Sequence, residues 1–269
     1  MSKDRQEPAQ RPIHILGMRV DATSYEEAVA CITRWSREAA SSYVCVATVN
    51  NVMESYDCER FRRVMNGADL VTADGMPLVW GLRLAGSRGA SRVYGPDLTP
   101  LILRAAEREG FGVAFYGGTR DALERLLIVV RARFPELKVA YASSPPFRRP
   151  TATENQQTAC DINASGAGIV LVGLSTPKQE FWMAGQKGSL RAPMIGVGAA
   201  FDFLAGMKPQ APRWMMRIGM EWFFRLVTEP RRLWKRYLKH NPRFVMLFAL
   251  QLLGLKKFPG RVGVENLTQ

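Results

Sequence analysis

Short apolar runs alternate with stretches of helical spacing along most of this sequence, and the alternation repeats about every 25 residues. The clearest runs are residues 168–172 (GIVLV) and 194–197 (MIGV), each followed by a glycine-containing loop and a polar cluster that opens a helix. This alternation predicts an α/β fold, a Rossmann-like parallel sheet with helices on both faces. Ligands bind at the carboxyl ends of the strands in such sheets. The residues that these two strand ends would present to one crevice are Ser175, Lys178, Gln179, Glu180 and Asp202.

The earlier part of the chain follows the same plan. We expect a hairpin around Gly17, and further strands at residues 43–47, 69–72, 112–116 and 137–141. Helices are expected at residues 24–40, 52–66, 76–85, 98–109, 120–134 and 153–164. The character of the sequence changes after Gly206. We therefore expect a disordered lead-in at residues 1–11, a Rossmann-like domain at 12–206 and a basic, amphipathic helical appendage at 207–269.

The positive charge of the chain is concentrated in this last segment. The net charge is +13, and residues 207–269 contain 13 Lys and Arg but 3 Asp and Glu, so they carry +10 of it. Such an excess points to an anionic partner: nucleic acid, a phosphorylated substrate or an anionic membrane.

The same segment has the composition of an interfacial membrane helix. Arg232, Arg236, Lys239 and Arg243 would form one basic stripe on a helix that we expect Pro242 to break. Residues 244–255 are nearly all apolar. Twelve helical residues span only about 18 Å, too short for about 30 Å of hydrocarbon, but they can lie in the membrane surface. The alternative is that residues 244–255 pack on the protein body or on a partner subunit.

Cysteine and histidine usage limits the chemistry. The four cysteines show no CxxC spacing, which indicates free thiols in a reducing compartment. The two histidines, His14 and His240, lie far apart in the sequence, so a histidine-cluster metal site is excluded and a histidine-based triad is disfavoured. The first residues lack the apolar core of a signal peptide, and we expect a cytoplasmic protein.

Several polar residues at predicted strand ends are candidates for chemistry, and each has a structural alternative. Asp74 lies in Ala-Asp-Gly, where partial burial could raise its pKa from about 3.9 and make it a general base. Alternatively, it caps the helix that follows. Thr48 and Asn50 alternate at another strand end and could bind a sugar or nucleotide, unless Asn50 or Asn51 caps a helix.

The next candidates could bind phosphate. Arg92 could clamp a phosphate group. Asp97 could bind a ligand, or it could be only the N-cap of the next helix. The loop Gly117-Gly118 could offer free backbone amides to a diphosphate, or it could be a tight turn.

The last strand end raises the question of a dinucleotide. Gly196-Val-Gly198 begins a dinucleotide fingerprint, but Phe201 replaces its third glycine, which disfavours NAD binding.

Two polar residues follow the strand before it. Glu180 could complement a helix dipole, whereas Gln179 is the better ligand candidate.

Seven stretches of the sequence carry a family resemblance. They are TVN (48–50), ADG (73–75), RVYGPD (92–97), FYGG (115–118), GLSTPKQEFW (173–182), GVGAAFDFLAG (196–206) and GMEWFFRLVTEPRR (219–232). In this order and spacing they resemble the WecG/TagA/CpsF family of bacterial glycosyltransferases.

The resemblance implies an inverting, metal-independent and cofactor-free transfer from a UDP-sugar to a polyprenyl-diphosphate-linked sugar. The enzyme would work as a peripheral protein at the cytoplasmic face of the cell membrane, in cell-surface polysaccharide biosynthesis. Asp74 matches the proposed general base. The residues that match the lining of the pocket are Thr48, Asn50, Arg92 and Gln179, and those matched to lipid-diphosphate binding are Arg225, Arg231 and Arg232. With the strand-end candidates, the substrate-binding set also includes Asp97, Gly117, Gly118, Glu180 and Asp202.

The sequence leaves the donor sugar open among N-acetylmannosamine, its uronic acid and glucose. Pro77 and the loop Ser144-Pro-Pro-Phe147 depart from the family pattern, and both could bear on which sugar is held. Self-association is also open. The rival interpretations are a non-catalytic basic protein that binds membrane or nucleic acid, and a nucleotide-dependent oxidoreductase. The concentration of charge beside an apolar segment argues against nucleic acid, and the incomplete fingerprint argues against the oxidoreductase.

Overall fold

A computed structural model describes residues 12–148 and 150–258. The strands within them are β1 (Ile13–Ile15), β2 (Met18–Val20), β3 (Tyr43–Ala47), β4 (Leu70–Ala73), β5 (Gly112–Gly117), β6 (Lys138–Ser143), β7 (Ala167–Gly173) and β8 (Met194–Gly196). The last six are parallel and form one sheet in the order β4-β3-β8-β7-β5-β6. Strands β1 and β2 form a short antiparallel hairpin that precedes the sheet and turns at Gly17, whose φ of 89° suits glycine.

Helices cover both faces of the sheet, as the alternating pattern predicted. The helices are α1 (Tyr25–Arg37), α2 (Val49–Asp57), α3 (Glu59–Asn66), α4 (Met76–Leu84), α5 (Gly95–Glu109), α6 (Arg120–Arg133), α7 (Ala152–Ala164), α8 (Lys178–Gln186), α9 (Ala200–Leu204), α10 (Arg213–Arg217), α11 (Glu221–Thr228) and α12 (Pro230–Leu252). One face is packed by α1, α5, α6 and α9, and the other by α2, α3, α4, α7, α8 and α12. The Rossmann-like prediction is confirmed, while the predicted lead-in at residues 1–11 lies outside the described residues.

Two helix predictions were wrong. The helix predicted at residues 52–66 begins earlier and is divided at Cys58, whose extended backbone (φ −132°, ψ 108°) separates α2 from α3. Pro242 does not break its helix, because α12 continues through it for 23 residues in all. A proline removes one backbone hydrogen bond from a helix interior. Packing offsets that loss, since His240 precedes the proline, Phe244 follows it, and both are buried.

The C-terminal segment shares the hydrophobic core of the sheet. Phe244 and Leu247 of α12 join the cluster that fills one face, and Phe248 packs so closely on Gly81 that a Cβ there would lie 2.9 Å from the ring. Gln251 of α12 accepts a hydrogen bond from the Leu16 amide at 2.8 Å. The alternative considered for residues 244–255, packing on the body, therefore holds for this face of α12.

The opposite face of α12 is apolar and exposed. Leu238, Val245 and Leu252 are spaced seven residues apart and form one stripe, with Met246 and Leu253 beside it. None of the described helices is both long enough and apolar enough to cross a membrane.

Candidate active site

Asp74 meets an arginine and a second carboxylate at the carboxyl end of β4. Its carboxylate Oδ1 accepts a hydrogen bond from Arg92 Nη2 at 2.9 Å, and Arg92 Nε donates to the Asp74 carbonyl. The same Nη2 also donates to the Glu221 carboxylate at the start of α11. The guanidinium lies 4.3 Å from the ring centre of Tyr94. The side chains of Arg92, Asp74 and Glu221 are 16%, 14% and 14% exposed, so the cluster is largely shielded from water.

This environment makes Asp74 a better base than an ordinary aspartate. Burial raises the pKa of Asp74 to about 6; Arg92 opposes the rise, and the Glu221 carboxylate adds to it. The capping alternative is not what the structure shows, because Gly75 is the N-cap of α4 and the Asp74 carboxylate is directed to Arg92. A carboxylate of this pKa can accept a proton near neutral pH.

A cavity of about 570 Å³ lies at the carboxyl ends of β5, β7 and β8. Ser175, Lys178 and Asp202 line it, as the strand-end argument predicted. Its cationic lining residues are Arg60, Arg148, Lys178, Lys208 and Arg232. Its aromatic lining residues are Phe147, Phe181, Trp182 and Phe201. A cationic and aromatic lining suits a ligand that combines phosphate groups with a planar ring.

A second cavity, of about 410 Å³, adjoins the first cavity and is lined by residues of the C-terminal segment. It shares Lys208 with the first cavity and contains Arg225, whose charge acts on Asp74. Lys208 is held by Asp202 at 2.6 Å and lies 3.8 Å from Glu229. The strand-end cavity and the Asp74 cluster therefore belong to one region of the molecule.

Gln179 and Glu180 do not line the first cavity. Gln179 is buried and accepts a hydrogen bond from the Gly198 amide at 3.1 Å, so it braces the loop after β8. Glu180 is fully buried and accepts hydrogen bonds from Thr176 at 2.7 Å, Asn51 at 3.0 Å and Gln179 at 3.1 Å. Both residues therefore hold the wall of the site together. For Glu180 this role differs from the predicted one, which was to complement the helix dipole.

Thr48 and Asn50 do not alternate along a strand, because α2 begins at Val49. Thr48 is the N-cap, and the capping role falls to Asn51, whose Oδ1 accepts from the Thr48 amide at 3.1 Å and from its hydroxyl at 2.9 Å. Asn50 lies in the first turn with its Oδ1 buried and without a hydrogen-bond partner. Buried acceptors are normally satisfied, so Asn50 remains a candidate ligand contact.

The glycine loop after β5 differs from a free phosphate cradle. The Gly118 amide donates to the Gly173 carbonyl at 2.9 Å and is not free. Gly117 has φ of 124°, and a Cβ there would lie 2.6 Å from Gly173 backbone atoms. The two glycines therefore let the ends of β5 and β7 approach, while Gly118 also lines the first cavity.

The remaining candidates are dispersed. Asp97 is not the N-cap of α5, which is Tyr94; it pairs with Arg213 at 2.6 Å and fastens α10 to the body. Arg232 lines the first cavity and pairs with Glu229 at 2.6 Å. Arg231 is exposed.

Two residues of this region, Glu221 and Lys208, were not among the candidates predicted from the sequence. Glu221 lies within a stretch that carried the family resemblance, but neither periodicity nor local motif places a residue of α11 beside Asp74. Lys208 lies two residues after Gly206, at the start of the predicted appendage, and that position was the available signal. Among residues 12–148 and 150–258, no three His, Cys, Asp or Glu side chains are grouped so that they could hold a metal ion.

Comparisons with known proteins agree with this picture. A model of the family described as "Glycosyl transferase WecG/TagA/CpsF family" matches residues 13–258. The chain is 30% identical over 196 residues to an N-acetylglucosaminyldiphosphoundecaprenol N-acetyl-beta-D-mannosaminyltransferase of Bacillus subtilis, with 72% of this chain and 74% of the relative covered. It is 28% identical over 214 residues to a protein of the same name from Bacillus spizizenii, with 79% and 80% covered.

Proposed function

This chain belongs to the WecG/TagA/CpsF family of glycosyl transferases, and from that premise we propose that it transfers N-acetylmannosamine from a UDP-sugar to N-acetylglucosamine on undecaprenyl diphosphate. The two relatives described above are named for this acceptor and this sugar. The observation that carries the proposal is the buried Asp74, a carboxylate with a raised pKa at the same edge of the sheet as a cationic cavity.

The first cavity suits the UDP portion of the donor. Lys178 and Lys208 can meet the diphosphate charge, and the aromatic residues of the cavity can pack on a nucleobase. Arg225 in the second cavity would lie between that diphosphate and Asp74. The sugar would then lie where the two cavities meet.

The chemistry follows from these positions. Asp74 takes the proton from the acceptor hydroxyl, using Oδ2, because Oδ1 is bound to Arg92. The acceptor oxygen forms a bond to the anomeric carbon, the bond from that carbon to the UDP oxygen breaks, and UDP leaves with the electron pair. A single displacement inverts the anomeric configuration. The basic residues of the cavity stabilise the charge that grows on the departing diphosphate.

The acceptor would approach from the C-terminal segment. Arg225, Arg231 and Arg232 are proposed to bind the lipid diphosphate, and the segment would lie on the cytoplasmic face of the membrane. Exposed aromatic and aliphatic residues support this orientation, since α10 to α12 expose Trp214, Ile218, Trp222, Phe223, Trp234 and Leu238. Each basic residue close to an anionic surface adds about 1 kcal/mol to binding.

A second donor sugar should be included in the test. The cationic lining of the first cavity would also suit a sugar that carries its own carboxylate, such as the uronic acid of N-acetylmannosamine. UDP-glucose is the uncharged comparison without an N-acetyl group.

The test measures UDP release by the purified protein with these three UDP-sugars. The acceptor is a short-chain polyprenyl diphosphate that carries N-acetylglucosamine, and each reaction is run with and without EDTA. We expect release with UDP-N-acetylmannosamine that requires the acceptor, survives EDTA and is lost in Asp74→Asn. Preference for another donor would change the proposed sugar, and no acceptor-dependent release by folded protein would contradict the proposal.

A further inference from the structure

Glu221 connects the C-terminal segment to Asp74 through a single arginine. It is the first residue of α11, far from Asp74 in sequence, yet its carboxylate accepts from the same Arg92 nitrogen that donates to Asp74. Its side chain is 14% exposed, so this is not a surface ion pair. Nothing in the proposed reaction requires Glu221 to touch the substrate.

The position of Arg92 is fixed from several sides. Its Nε donates to the Asp74 carbonyl, its Nη2 joins both carboxylates, and its plane lies over the Tyr94 ring. A guanidinium bound to Asp74 alone would hold that carboxylate in its charged form and weaken it as a base. The second carboxylate shares the guanidinium and adds a negative charge close to Asp74.

We propose that Glu221 is a positioning residue for the transfer reaction, which binds the same Arg92 nitrogen that donates to Asp74 and so leaves Asp74 free to accept the acceptor's proton. The inference rests on the proposed function, since it assigns Asp74 the role of base. The charged and titratable groups that act on Asp74 or are acted on by it are Arg92, Tyr94, Tyr25, Glu221 and Arg225. Of these, Glu221 supplies the second carboxylate.

A purely structural role makes a different prediction. If Glu221 only fastened α11 to the body, its loss would lower activity at every pH alike. If instead the Glu221 carboxylate preserves the basicity of Asp74, removal of its charge favours the ionised form of Asp74 and makes it a weaker base. The acidic limb of the kcat profile must then move to lower pH, with a lower plateau, because a weaker base accepts the proton less readily.

The experiment compares two charged forms with two neutral ones. Glu221→Gln and Glu221→Asn are expected to move the acidic limb down by about one pH unit and to lower kcat about tenfold, with KM for the donor little changed. Glu221→Asp keeps the charge and should leave the limb near its wild-type position. Glu109→Gln is the matched control, because Glu109 is also paired with an arginine, Arg37 at 2.6 Å, on an exposed surface.

The outcomes separate this inference from the proposed function. A wild-type protein without transfer activity contradicts the proposed function. An active wild type whose limb is unchanged in both neutral variants contradicts only the role of Glu221. Unfolding of both neutral variants, seen as a lost thermal transition, would also overturn the inference, because the carboxylate would then be needed for the fold itself.

Discussion

The Gln179 side chain accepts a hydrogen bond from the backbone amide of Gly198 at 3.1 Å, and thereby ties the start of α8 to the loop after β8. These are the two strand ends that the sequence pattern placed side by side. The contact is shielded from water, since Gln179 is 3% exposed. It fixes Gly198 and Ala199 where they line the first cavity.

Removal of this contact should impair substrate handling more than stability. We expect Gln179→Ala to lower kcat/KM at least tenfold, because the loop that lines the cavity loses its brace and the Gly198 amide loses an acceptor. Steady-state kinetics and thermal unfolding measure the two effects. Ser36→Ala is the matched control, since it also removes a buried bond to the backbone, to the Gly168 carbonyl at 2.8 Å, near the opposite end of β7. Equal losses of kcat/KM in the two variants would contradict the assignment.

Asp74→Asn should abolish transfer without unfolding the protein. A missing general base lowers kcat by at least about 100-fold, because amide oxygen does not take up the proton. Burial holds the pKa of Asp74 above its ordinary 3.8, at about 6, so ionisation costs stability as pH rises through that window. Asparagine resembles the protonated form, and the variant should be at least as stable as wild type at neutral pH. Kinetics and thermal unfolding of Asp74→Asn, with the surface change Asp121→Asn as control, check both statements.

The wild-type pH profile should show a single acidic limb near pH 6. Activity rises with pH because Asp74 must lose its proton to act as a base, and its pKa lies near 6. Measurement of kcat across the mildly acidic range would locate the limb. A limb near 4, where an unperturbed aspartate titrates, would show that another environment surrounds Asp74 in the working enzyme.

The sheet and the strand-end cavity could be predicted from the sequence because both follow from periodicity. Apolar runs at regular spacing specify parallel strands, and parallel strands place their carboxyl ends at one edge, where Ser175 and Asp202 line the first cavity and Asp74 follows β4. The partners of these residues could not be predicted in the same way. Glu221 reaches Arg92 by tertiary packing of α11, which leaves no local signature in the sequence.

The continuation of α12 through Pro242 could not be predicted from the sequence, for a related reason. A local rule ends a helix near an interior proline, but burial of Phe244 and Leu247 against the sheet decides the outcome. Gln179 was predicted to contact a ligand, whereas the fold buries it against the Gly198 amide. In each case a contact between distant segments overrode a preference that is visible within a few residues.

The two faces of α12 should respond differently to truncation. Phe244 is 4% exposed and stacks on Phe248 at 5.5 Å, so Phe244→Ala should cost about 3–5 kcal/mol of unfolding free energy. Val245, its neighbour, is 66% exposed, and Val245→Ala should change stability by less than about 0.5 kcal/mol. Urea unfolding of the two variants checks this contrast. Similar values would mean that α12 does not pack on the body as described.

Membrane association should depend on the exposed face of α12 and not on the helix as a whole. Deletion of α12 would remove Leu247 from the core, so a loss of membrane binding could not be distinguished from a loss of folding. Substitution on the exposed face avoids this ambiguity. The double change Val245→Glu and Leu252→Glu places two negative charges on the exposed stripe and leaves the buried face intact. We expect it to weaken co-sedimentation with anionic vesicles at least tenfold, because it removes apolar contact with the lipid and adds charge repulsion. Ile128→Glu on α6, where the side chain is 66% exposed, is the control for added charge at an exposed apolar position. Equal binding by the double variant and wild type would direct the search for a membrane contact to the exposed aromatic residues of α10 and α11, away from α12.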